Sequence, residues 1–124
     1  MAHANLHMAA GMVLGTAVTL IPVARAWLTQ KPLARPIGRM LLAAYALGIW
    51  ALVPNLVSAA GGPAGIHHNP ASNIFLAHAL IDARKDGGLL IGELAMVAVL
   101  VFQFTLLVVA IARASSISRP DRGA

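Results

Sequence analysis

Hydrophobic positions gather into three long runs, residues 6–27, 37–60 and 89–112, and glycine, proline and charge collect in the segments between them. Each run meets or exceeds the ~20 residues that an α-helix needs to cross a hydrocarbon core about 30 Å thick. Charge is almost absent inside them. Arg25 and Arg39 lie near run ends, where long side chains reach the headgroups, and Glu93 and Gln103 interrupt the third run. The pattern predicts three transmembrane helices.

Between the second and third runs, Gly61, Gly62, Pro63 and Gly65 break the helix, and Asn69 followed by Pro70 offers an N-cap with proline at the first helical position. Over residues 70–85 the spacing sets Ile74, Phe75, His78 and Ile81 to one side and leaves Asn73, Asp82 and Arg84 for water. Gly87 and Gly88 stop it. This predicts a short amphipathic helix on the outer membrane surface or on a partner subunit. A fourth crossing is not expected, because the run is too short and contains Asp82. The expected fold is an all-α integral membrane protein: one membrane domain with three transmembrane helices, a short outer amphipathic helix and a cytoplasmic tail over residues 113–124. No internal repeat is visible.

Composition strengthens the membrane reading. Of the 124 residues, 59% are hydrophobic and 10% charged, against roughly 45–50% and 25% in soluble domains. Mean hydropathy is +0.79. There is too little polar surface to coat a globule. The net charge of +5 raises the question of nucleic acid. Here the cations flank apolar runs, so lipid headgroups and topology explain them, and no nucleic-acid partner is expected.

The distribution of charge orients the chain. Residues 25–39 hold Arg25, Lys31, Arg35 and Arg39 with no acid, and in the tail Arg113, Arg119 and Arg122 outweigh Asp121. By the positive-inside bias both segments are cytoplasmic. Asp82 and Asp86 balance Arg84 and Lys85 in the other loop, and no Lys or Arg precedes the first run. The amino terminus is therefore expected outside. A cleaved signal peptide is disfavoured, because its basic region is missing and the basic residues follow the apolar run. A bacterial plasma membrane is the expected location.

With orientation assigned, the unusual polar groups fall on the outer side: His3, His7, Asn55, His67, His68, His78 and Glu93. His3 and His7 are four apart and share a helix face, as do Met8 and Met12 on a neighbouring one. Imidazole with thioether suits copper, and imidazole with the Glu93 carboxylate suits zinc, copper or iron. His3, His7, His67, His68 and Glu93 are thus the candidate metal ligands. The plain alternative is interfacial histidine and packing methionine. Without cysteine, thiolate sites, iron–sulfur clusters and covalent haem are excluded. An internal bis-histidine haem is disfavoured, since no histidine lies well inside a run. The cofactor stays unassigned, with copper or another transition metal ahead of haem.

Glu93 is the sharpest single residue, because a carboxylate within apolar sequence demands protein, water or a partner. His7, Asn55 or His78 are its expected neighbours if the bundle closes on itself. Asn55 and Gln103 are the other intramembrane polar residues, and Gln103 is expected to hydrogen-bond across helices. Gly11 and Gly15 form a Gly-xxx-Gly pair, and Gly48 with Ala44 extends the small-residue theme, so these glycines are expected at a helix contact. Pro22 and Pro54 are candidate kinks. Trp27 is a candidate interfacial anchor, and Trp50 either an anchor or a packing residue.

No phosphate-binding loop, Ser-His-Asp arrangement or His-Glu-x-x-His helix occurs, and independent catalysis is not expected. In size and hydropathy the chain resembles small three-pass subunits of respiratory and other energy-converting complexes, a likeness of class that assigns no residue. The leading expectation is a non-catalytic transmembrane subunit of a larger energy-converting or metal-dependent enzyme complex, with other membrane subunits and lipid as partners. The alternatives are an outward-facing copper or other metal-binding protein and an oligomeric ion channel or carrier in which Glu93 lines the pathway.

Overall fold

A computed structural model describes residues 4–63, 65–66, 69–76 and 88–117. The described residues form three long α-helices, α1 (Ala4–Leu28), α2 (Ala34–Ala59) and α3 (Gly88–Ile117), and a five-residue 3₁₀ helix, Pro70–Ile74. At 1.5 Å per residue, 25 to 30 residues make rods of roughly 37 to 45 Å, longer than the ~30 Å apolar layer of a bilayer. All three are apolar enough to cross it. The protein is an all-α, multi-pass, membrane-embedded chain.

α1 is the hub. It packs along α2 and along α3, whereas α2 and α3 hardly touch. On α2 the buried positions are Ile37, Met40, Ala44, Gly48, Ala51 and Pro54, spaced three or four apart, which is a single narrow seam. On α3 the seam is Gly92, Val99 and Gln103, with Ala95, Met96 and Leu106 half-buried beside it. Most of the remainder of α3 is exposed and apolar: 11% of its most apolar window is buried against 39% for α1. A helix apolar all round belongs inside a large protein or a bilayer.

Small residues set the closest approach. A Cβ added to Gly15 would lie 2.5 Å from Ala44 Cα and 2.6 Å from Ala43 O, and one added to Gly11 would run into the Leu47 carbonyl and Gly48 Cα. Across the seam, the Met8 and Met12 side chains lie against Gly48. With no hydrophobic drive between helices in lipid, such backbone proximity is what earns van der Waals attraction.

The two helix ends that lead into loops use the same closure. After α1, Lys31 N donates to Ala26 O at 2.9 Å, with Gln30 in the left-handed region at φ 56°. After α2, Gly62 N donates to Val57 O at 2.9 Å, with Gly61 at φ 85°. Both are Schellman-type ends that satisfy carbonyls the helix leaves open. The first is shared with α3: the Arg113 guanidinium lies 4.9 Å from the centre of the Trp27 ring and donates to Gln30 Oε1.

Two sequence expectations need correction. The helix expected over residues 70–85 starts as predicted, with Asn69 Oδ1 accepting from Ala71 N at 2.9 Å, but it is a 3₁₀ turn that stops at Phe75, and Leu76 has φ 57°. The Ile74 carbonyl is turned to the side of α2, where it accepts from Trp50 Nε1 at 3.2 Å. Residues 77–85, with His78 and Ile81, lie outside the described residues. At the other end, the third run, expected to close at about Ala112 with the tail from residue 113, continues as helix to Ile117, with Ser115 and Ser116 hydroxyls donating to the Ile111 and Arg113 carbonyls, so Arg113 lies within α3.

Candidate functional site

Antiparallel packing collects Arg25, Lys31, Arg35, Arg39 and Arg113 at one end of the bundle, which we call the basic end. His7, Asn55 and Glu93 lie towards the opposite end. The register fixed by Gly11 opposite Gly48 and Gly15 opposite Ala44 brings Asn55 level with the start of α1, one turn from His7.

Glu93 sits just over a turn into α3 and is exposed. It is the sole charge between Gly88 and Ala112. Its neighbour Gly92 explains the orientation: a Cβ there would lie 2.7 Å from Leu6 N and 2.9 Å from Leu6 Cα. α3 therefore presses residue 92 onto α1 and turns residue 93 away. Neither Gly92 nor its contact with Leu6 was anticipated, although Gly88 and Gly92 repeat the four-residue spacing of Gly11 and Gly15.

His7 is fully buried on α1, so it and the outward-facing Glu93 do not share an exposed surface. His3, His67 and His68, the remaining candidate metal ligands, lie outside the described residues. Among the described residues no three His, Asp or Glu side chains come together.

Halfway along the bundle, Gln103 is 3% exposed and donates from Nε2 to Thr16 Oγ1 at 2.9 Å. It ties α1 to α3. The carboxamide oxygen Oε1 is buried without a partner among the described residues. Thr16, which sequence reasoning passed over, was visible as a hydroxyl within the apolar run and on the buried side of α1. Asn55 follows the buried Pro54 on α2, which stays helical through the proline. Its Nδ2 is likewise buried and unpaired among the described residues.

Beyond Asn55 the chain returns along α2. Ser72 Oγ donates to Ile66 O at 2.8 Å, and the Phe75 ring lies 5.0 Å from that of Trp50. Trp50 thus pins the returning loop to the side of α2 through both its N–H and its ring. What the described residues provide is a charged group facing outward near one end, an amide–hydroxyl pair inside the bundle and a loop folded down on the side of α2. Comparison with protein-family models, with curated proteins and with solved structures finds no match.

Proposed function

We propose that this chain is a small non-catalytic subunit packed within a larger membrane protein complex, an energy-converting or metal-dependent enzyme assembly. The observation that carries this reading is the outward-facing Glu93 on an otherwise uncharged helix. A carboxylate facing lipid costs on the order of 3 kcal/mol at the bilayer centre and less toward its edge. A cationic or hydrogen-bonding side chain on a neighbouring subunit removes that cost. The sparse burial of α3 supports the same reading, since its apolar surface is available to a partner helix. Size and hydropathy favour the energy-converting class.

Extraction of native membranes in mild detergent tests it. The chain is expected to migrate with larger subunits, and Glu93→Leu to weaken that association. Migration alone, as a monomer or a symmetric oligomer, overturns the subunit reading, and the symmetric oligomer favours a channel or carrier.

The proposed setting is a bacterial plasma membrane, with the amino terminus outside and the carboxyl terminus cytoplasmic. The cations gathered at one end support this orientation. Because the chain lacks cysteine, introduced thiols report without background. A membrane-impermeant maleimide added outside is expected to label Gly65→Cys and to spare Arg35→Cys until the membrane is opened. Labelling of both from one side rules the topology out.

A further inference from the structure

We propose that the basic end of the bundle holds one anionic phospholipid, with an acyl chain in the groove between α2 and α3 and its phosphate between Lys31 and Arg113. The groove exists because α2 and α3 each lean on α1 and not on each other. Its walls are Ile37, Gly38 and Leu41 on one side and Leu107, Ala110 and Ile111 on the other, and its volume is about 470 Å³. Gly38 lines it without a side chain, and a Cβ added there would meet nothing within 4 Å, so a larger residue at this position has open space to extend into.

Size and charge decide the occupant. At about 30 Å³ for each group of water's size, the groove takes about fifteen such groups, the scale of one fatty acyl chain. One turn of α-helix, 5.4 Å long and about 10 Å across, nearly fills the same volume. A spanning partner helix of ~20 residues would lay only about one turn against it and brings no phosphate to the cations at its mouth. Apart from its mouth the lining is apolar, and at the mouth stand Lys31 and Arg113.

Arg113 is held in place there by the Trp27 ring and by Gln30. A guanidinium carries five N–H donors, so donors remain beyond the one Gln30 accepts. Lys31 is exposed beside it, and Arg25, Arg35 and Arg39 raise the potential at the same end. Among the described residues no carboxylate lies at that end. Basic pockets between membrane helices suit anionic headgroups. A free phosphate would satisfy the cations alone and leave the groove unused, so the lipid is the ligand that accounts for both features.

The test uses the full chain, purified in mild detergent and exposed to phosphatidylglycerol or phosphatidylcholine of identical acyl chains, with retained lipid counted by native mass spectrometry. One phosphatidylglycerol is expected to be retained in preference to phosphatidylcholine. Lys31→Gln is expected to lower that retention about fivefold. Gly38→Leu, which fills the groove and keeps every charge, is expected to lower it as well, and added inorganic phosphate is not expected to displace the lipid. Equal retention of the two lipids, retention indifferent to Gly38→Leu, or full displacement by phosphate overturns the proposal. Should Gly38→Leu fail to fold, Lys31→Gln decides, because that side chain is exposed and contributes no packing.

Discussion

Replacing Gly15 with valine is expected to separate α1 from α2 and to lower stability by about 3 kcal/mol or more, at or beyond the upper end for overpacking. The reason is the nature of what stands opposite. Flexible side chains can rotate away from an added methyl group, but at Gly15 the first added atom meets Ala44 Cα and the Ala43 carbonyl, and a backbone moves only with its whole helix. Moving α2 outward loosens Gly11 against Gly48 at the same time, so the loss spreads along the seam. Gly38→Ala is the matched control. Its Cβ meets nothing within 4 Å, and alanine is the better helix former by about 1 kcal/mol. Unfolding titrations in detergent should therefore give a large loss for the first variant and none for the second. A Gly15→Val protein as stable as the parent would mean that the helices do not approach this closely.

The second large effect concerns the Thr16–Gln103 pair, and its sign runs against residue size. Thr16→Val is expected to cost about 1–2 kcal/mol, because it leaves the whole Gln103 carboxamide buried without a partner. Gln103→Leu is expected to cost little, although it removes the larger and more polar group. It abolishes an oxygen that already lacks a partner among the described residues, and the Thr16 hydroxyl can turn back to the carbonyl one turn earlier on α1. The double variant should lie near Gln103→Leu alone, which makes the cycle non-additive. If Gln103→Leu proves the more damaging, the oxygen is bonded to something and the ordering fails.

The three crossings were legible because length and missing charge act on whole segments, and no local detail can cancel twenty apolar residues. Gly11, Gly15 and Gly48 were legible for a related reason, since four-residue spacing of small side chains fixes a helix face. The 3₁₀ turn over residues 70–76 was not. Their periodicity describes an isolated segment, and it is a distant residue, Trp50, that takes the Ile74 carbonyl. Glu93 shows the same limit from the other side. Its presence in apolar sequence was evident, but α3 is apolar on every face, so no pattern said whether the carboxylate turns inward. Gly92 against Leu6 settles that, and a contact between two helices is not a property of either one. Gln30 illustrates a smaller gap, because a left-handed φ ordinarily advertises itself as glycine or asparagine.

Because each outer helix leans on the first and scarcely on the other, the chain can be put together in two separable stages as it leaves the ribosome. The hairpin of α1 and α2 can make its own helix–helix contacts and close its turn before α3 is synthesised. The third helix then docks onto that hairpin, and Arg113 near its far end reaches back to the turn made first. Biogenesis in this arrangement ends by closing a latch at the place where it began.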